Sequence, residues 1–256
     1  MKVLVCIKRV PDTGARFELT PDGQEIDTRN LEFTISPHEE CAVEEAIRLV
    51  EQHGGESVVL TLGPEAAAEQ LREALAKGVD KGVLLETDGS EWDPVATAEA
   101  IAQAVQQLES EQGQGPFDLL LFGNESADAG YYQVGVRVAD RLDRPCVAGI
   151  KALKVEDGKA RAKREVPGGW EIYELPLPCV FTVKEGINVP RHPSLRGIMT
   201  AKKKEIRRLT PEKPTMQLVK RRLRKPPERG GECEILGEGV AAVPKAVEKL
   251  KEIGVI

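Results

Sequence analysis

Aromatic residues are scarce, 4% of the 256-residue chain, so the core must be built from Val, Leu, Ile and Ala, which are plentiful in a chain that is 41% hydrophobic. Cysteine is sparse and scattered. Cys6, Cys41, Cys146, Cys179 and Cys233 include no CxxC pair, which excludes the usual zinc spacing and fits a reducing compartment. His38, His53 and His192 stand far apart, so no metal site is expected. No apolar run approaches the ~20 residues of a membrane span. The N-terminus opens directly into strand-like sequence without a signal-peptide pattern. The expectation is a cytoplasmic chain of bacterial or archaeal type with no direct membrane insertion.

What charge there is lies unevenly. The net charge is −6, yet residues 201–225 hold 11 Lys/Arg against two acids, Glu205 and Glu212. A basic segment on an acidic body reads as a docking segment. The acidic body argues against nucleic acid as the target, and the basic stretch lacks the interleaved aromatics of a single-strand binder.

The chain is organised around residues 119–135. Leu119, Leu120, Leu121 and Phe122 run without a break into Gly123, the pattern of a strand buried on both faces of a parallel sheet. A small, polar loop with Gly123, Gly130 and Gly135 follows, and Val134, Val138 and Leu142 then recur at helical spacing. A strand, glycine loop and helix aim free backbone N–H groups and a positive helix end at a phosphate. It is neither a Walker A loop nor a GxGxxG fingerprint, and an ordinary βα turn reads the same way.

In chain order, residues 2–9 (KVLVCIKR) form a strand ended by Pro11, and residues 17–28 a hairpin turning at Pro21, Asp22 and Gly23. Ser36, Pro37 and Glu39 combine a cap, a first-turn proline and a capping box, opening a helix that runs to His53. Strands at 57–62, 82–86 and 119–122 alternate with helices opened by Gly63-Pro64 and Asp93-Pro94. That alternation predicts an α/β, doubly wound, mostly parallel sheet with its ligand at the carboxyl ends of the strands. Residues 150–155, 160–165, 170–175 and 179–183 read as short strands of an antiparallel extension. Beyond Val183 the chain is irregular and proline-rich, with helical character only at 241–253, which predicts an extended C-terminal arm lying on a partner.

Several stretches, in order and spaced over most of the chain, resemble the beta subunit of an electron-transfer flavoprotein. They are residues 2–10 (KVLVCIKRV), 42–46 (AVEEA), Gly63-Pro64, the loop with Gly123, Asp128, Gln133 and Gly135, and Lys163-Arg164-Glu165 with Gly168-Gly169. Leu177-Pro178, Ile198-Met199 and residues 201–204 (AKKK) continue the match, which resumes at 247–254. Pro167 stands where the family usually has an acid before the Gly-Gly pair.

The resemblance implies an electron carrier and not an enzyme: a heterodimer whose alpha subunit holds the working FAD and whose beta subunit binds AMP. Residues 1–190 are then an adenine-nucleotide-binding α/β domain. Residues 191–256 supply a partner-docking loop and a C-terminal arm packing on the alpha subunit. Electrons would come from acyl-CoA dehydrogenases or similar donors and go to a membrane quinone oxidoreductase.

Carried over residue by residue, the resemblance places the nucleotide site at Cys6, Ser36, Pro37, His38, Glu39 and Leu62. It continues along Gly123, Asn124, Glu125, Ser126, Ala127, Asp128, Ala129, Gly130, Tyr131, Tyr132, Gln133 and Val134. Asp128 repels phosphate and is assigned to ribose or to a helix cap. Ala129 and Gly130 replace an acidic run of the AMP-type loop, and the tyrosine pair is an addition. Arg191, Leu195, Ile198 and Met199 fall in the partner-docking loop; without the resemblance, Leu195 reads as core. The alternative is a bifurcating carrier whose beta site holds a second, redox-active FAD that accepts electrons from NADH. A stand-alone adenine-nucleotide hydrolase is disfavoured, since no activated nucleophile is visible.

Overall fold

The computed structural model describes residues 1–111, 115–227 and 233–256. A nine-stranded sheet organises them. Its strands are β1 (Lys2–Ile7), β4 (Glu56–Gly63), β5 (Lys81–Glu86), β6 (Leu119–Gly123), β7 (Cys146–Glu156), β8 (Lys159–Val166), β9 (Gly169–Pro176), β10 (Cys179–Val183) and β11 (Ile206–Leu209), in the order β11-β5-β4-β1-β6-β10-β7-β8-β9. The first seven in that order are parallel, and β8 and β9 continue the sheet antiparallel from β7. A separate ribbon pairs β2 (Arg9–Pro11) with β3 (Phe33–Ile35).

Helices cover both faces, because the central strands are apolar on both. Helices α1 (Pro37–His53) and α2 (Ala68–Lys77) pack over Val3, Val5, Ile7, Leu119, Leu121 and Phe181. Helices α3 (Pro94–Ser110) and α4 (Val134–Arg141) cover Leu4, Cys6, Leu60, Leu120, Phe122 and Val180 on the other face. The helix starts follow the sequence signals. Ser36 precedes Pro37 at the start of α1, and the Asp93 carboxylate accepts the Ala96 N–H at 2.7 Å to cap α3. Gly54 (φ +70°) ends α1 in a conformation costly for other residues.

Four sequence expectations need correction. The strand expected at residues 2–9 breaks at Lys8, whose N–H leaves the ladder to donate to Glu39 Oε2 at 3.1 Å. The expected hairpin at 17–28 retains the turn but only one bridge, Leu19 with Ile26. β10 is not antiparallel; it inserts between β6 and β7, parallel to both. All five of its residues are buried, which is the signature of a central parallel strand. The region beyond Val183 is less irregular than expected. It forms α5 (Leu195–Ala201), packed on α2, and β11, the edge strand beside β5. Arg207 and Arg208 gave β11 the look of a charged run, and charge is common on edge strands. The expected C-terminal helix is present as α6 (Val243–Glu252).

Candidate functional site

The chain winds from β1 outward to β4 and β5, then crosses back through α3 to β6 on the opposite side of β1. The crevice between the carboxyl ends of β1 and β6 is therefore the topological switch point, where doubly wound sheets take their ligands. The loop after β6 and the start of α1 meet there. The Ser36 hydroxyl accepts the Ala127 N–H at 3.1 Å, joining the two. Lys8 Nζ reaches Asp128 Oδ2 at 2.5 Å across the crevice. Burial opposes the charge on Asp128, but Lys8 and the N–H of Ala129 outweigh it and hold the carboxyl below its ordinary range.

A cavity of about 270 Å³ opens at this point, lined by Ser36, Pro37, His38, Glu125, Ser126, Ala127, Gly130 and Glu185. His38 Nδ1 accepts the Glu185 N–H at 2.7 Å, so its ring proton sits on Nε2, 3.3 Å from Glu125 Oε1. Below the cavity lies Glu39. Its Oε2 accepts the N–H groups of Lys8 (3.1 Å) and Ser36 (3.3 Å). Burial is nonetheless the larger influence and pushes the carboxyl up to about 8. Burial thus disfavours a negative charge on Glu39 beneath an anionic ligand. Gly123 makes this packing possible, since a β-carbon there would stand 2.6 Å from Glu39 Cγ.

The loop is shaped for close approach. Gly130, Tyr131 and Tyr132 are successively left-handed, with φ of +70°, +57° and +58°. For the two tyrosines that conformation costs roughly 1–2 kcal/mol each, and such strain concentrates where ligands bind. Tyr132 is largely exposed and lies, like Glu125, beside Gly130 at the cavity rim. Tyr131 lies near Glu91, Asp128, Asp93 and Lys220 on the α3 side. At the start of α4 the N–H groups of Val134, Gly135 and Val136 have no protein acceptor among the described residues. Gly135 lets α4 lie close on the sheet: a β-carbon there would stand 2.8 Å from Thr182 Cγ2 and 3.0 Å from the Phe122 ring. Asn124 fixes the loop to β10 by accepting the Thr182 hydroxyl at 2.9 Å.

The expected residues do not all converge. Ser36, Pro37, His38, Glu125, Ser126, Ala127 and Gly130 line the cavity. Gly123, Asn124, Glu39 and Asp128 support it from the sides and below. Cys6 and Leu62 belong to the core under α3 and α4, on the face opposite α1. Burial raises the Cys6 thiol well above its usual range, and Glu39 adds to the effect, so Cys6 stays a thiol. Asp128 is not a helix cap; the residue preceding α4 is Gln133, whose Oε1 accepts Arg137 Nε instead. Ala129, Tyr131, Tyr132, Gln133 and Val134 form the outer bend between the cavity and α4. Glu185 was missed. Its signal lay in β10, whose carboxyl end reaches the switch point only once the strand is recognised as parallel.

Of the four expected docking residues, three form one exposed apolar patch. Leu195 (83% exposed), Ile198 and Met199 (70%) sit at i, i+3 and i+4 on α5, so Leu195 is not core. Arg191 instead turns inward to Glu44 (2.8 Å) and Glu51 (2.7 Å) on α1. Among the described residues no cluster of His, Cys, Asp or Glu could hold a metal ion, and no helix is long and apolar enough to cross a membrane.

A doubly wound sheet with a glycine loop and a free helix start at its switch point is an α/β domain arranged for a ligand at its strand ends. Comparison with known proteins makes the class more specific. The electron transfer flavoprotein domain family matches residues 25–214. Electron transfer flavoprotein subunit beta of Bacillus subtilis is 38% identical over 211 residues, 82% of this chain and 79% of that protein. Its counterpart in Syntrophomonas wolfei is 40% identical over 207 residues, 80% and 78%. Subunit CarD of the caffeyl-CoA reductase-Etf complex of Acetobacterium woodii is 33% identical over 272 aligned positions spanning both chains completely. The chain belongs to the electron transfer flavoprotein beta-subunit family.

Proposed function

We propose that this chain is the beta subunit of a heterodimeric electron carrier, pairing with an alpha subunit that holds the working FAD and binding one AMP itself. Its donors are acyl-CoA dehydrogenases or similar enzymes, and its acceptor is a membrane quinone oxidoreductase. The chain carries out no covalent step on a substrate of its own; its residues bind, orient and dock. The convergence of the β6 loop, the start of α1 and the free N–H groups opening α4 on the switch point carries the nucleotide reading. A single free helix start suits one phosphate, and so a mononucleotide. The free N–H groups opening α4 suit its phosphate, while Glu125 and Glu185 suit donors on ribose or adenine.

Residues 1–190 serve as the nucleotide-binding domain, and residues 191–256 as the docking loop and the arm toward the alpha subunit. Leu195, Ile198 and Met199 present an apolar anchor flanked by Arg196, Lys202 and Lys203, a combination that attracts an acidic partner and then buries its contact.

A second reading rests on the relative from A. woodii, whose alignment spans both chains end to end and whose name places that protein in a complex with a CoA-ester reductase. Under it the beta site holds a second FAD that accepts electrons from NADH. Expression of the chain with and without its alpha subunit tests the first reading. The pair should purify as a 1:1 complex whose flavin is reduced by the donor dehydrogenase, and the chain alone should retain no stoichiometric flavin. Tightly bound flavin in the isolated chain would contradict it.

A further inference from the structure

The loop from β10 to α5, residues 184–194, runs from the nucleotide cavity to the docking helix. Glu185 near its start lines the cavity. Ser194 at its end caps α5, its hydroxyl accepting the Gly197 N–H at 3.0 Å. Between these points α1 holds the loop at four places, one of them Arg48, whose Nη2 donates to the Val189 carbonyl at 3.3 Å. The Glu185 N–H donates to His38 Nδ1 at 2.7 Å. Asn188 Nδ2 donates to the Cys41 carbonyl at 3.0 Å and to Glu45 at 2.9 Å. Arg191 pairs with Glu44 and Glu51. One helix therefore walls the cavity with its first turn and holds the docking loop with the turns that follow.

Of the four fastenings, only that of His38 touches the cavity. The Asn188, Val189 and Arg191 contacts lie further along α1 and do not line it. His38 commits Nδ1 to the loop, which leaves its Nε2 proton facing Glu125, and Glu125 lines the same cavity. A line of contacts, Glu125 to His38 to Glu185, thus crosses one cavity wall and ends at the head of the docking loop. The two carboxylates are acceptors for the hydroxyls of a ribose or the amino group of an adenine. A ligand bonded to Glu125 or Glu185 acts directly on the His38 fastening.

We infer that His38 is a positioning residue that makes the seating of the docking helix depend on the adenine mononucleotide in the cavity. This rests on the nucleotide reading above. Its consequence is reciprocal: if nucleotide favours docking, docking favours nucleotide by the same factor.

The test uses the complete heterodimer stripped of its nucleotide, with AMP as the probe. Three quantities are read: AMP binding by calorimetry, hydrogen exchange of the amides at 185–199, and affinity for the donor dehydrogenase. AMP should slow exchange at Glu185 and through the loop, and should tighten donor binding about fivefold or more. Donor should tighten AMP binding equally. In His38→Asn, the side-chain oxygen can replace Nδ1 as acceptor for the Glu185 N–H, so protection of that amide should persist. In His38→Gln, whose amide reaches the Nε2 position instead, saturating AMP should leave exchange at 185–199 unchanged. If AMP binds the wild-type heterodimer yet changes neither loop exchange nor donor affinity, the inference fails and the nucleotide reading stands. If the stripped heterodimer does not bind AMP, the nucleotide reading fails and takes the inference with it.

Discussion

Gly197 of α5 passes so close to Ala76 of α2 that a β-carbon on Gly197 would stand 2.2 Å from the Ala76 carbonyl oxygen. The docking helix can lie where it does only because residue 197 has no side chain. The obstructing atom is backbone near the end of a packed helix, so it cannot swing aside. Gly197→Ala should therefore lift α5 and misplace Leu195, Ile198 and Met199, at a cost of about 1–3 kcal/mol for the overpacked contact. Thermal unfolding should show the loss. Donor-dependent flavin reduction should slow more than flavin content falls.

Truncating the anchor itself should separate docking from folding. Leu195 is 83% exposed and touches little of its own chain. Leu195→Ala should leave the melting temperature and the 1:1 assembly unchanged, while donor docking weakens by about 1–4 kcal/mol. Stopped-flow reduction by the donor at several donor concentrations measures this. An unchanged concentration dependence would remove Leu195 from the interface.

Much of this arrangement was legible in the residues, for identifiable reasons. The starts of α1 and α3 were readable because Ser36-Pro37 and Asp93-Pro94 combine a cap with a first-turn proline. β1, β4, β5 and β6 were readable because strands buried on both faces have no polar alternation to blur them. β10 has the same apolar character, but its short spacing from β9 gave it the look of another hairpin partner. Strand order is a property of contacts distant in sequence, and with that order misjudged Glu185 could not be placed at the switch point. α5 and β11 escaped because seven residues with a central glycine, and four with two arginines, carry little periodic signal. The inward turn of Arg191 depends on Glu44 and Glu51, some 140 residues away, and no local pattern announces it.

Glu39 predicts a specific pH dependence. Its carboxyl titrates near 4.5 when exposed and near 8 in the fold. Between these values the unfolded chain has released a proton that the folded chain keeps. The contribution to stability is therefore complete below about 4.5 and declines as pH rises through about 8. Glu39→Gln keeps an acceptor for the N–H groups of Lys8 and Ser36 and cannot ionise. The melting temperature of the variant, taken relative to wild type, should rise steadily across that window. A difference independent of pH would mean that Glu39 is ionised in the fold.

The tyrosine bend should show a trade between stability and binding. Tyr132 holds φ at +58°, a conformation glycine adopts without the roughly 1–2 kcal/mol penalty, although glycine gives up about 0.5–1 kcal/mol in chain entropy. Tyr132→Gly should leave stability level or slightly raised, within about 1 kcal/mol. It should also weaken nucleotide retention, because the ring beside Gly130 at the cavity rim is lost. Chemical denaturation and calorimetric titration with AMP measure the two effects separately.

The nucleotide content of the purified heterodimer tests the central claim most directly. The complex is denatured, and the released nucleotides are separated by chromatography and quantified against protein. A glycine loop beside a single free helix start at the switch point predicts one FAD and one AMP per heterodimer. Two FAD and no AMP would contradict the account and make an NADH-linked bifurcating carrier the leading reading.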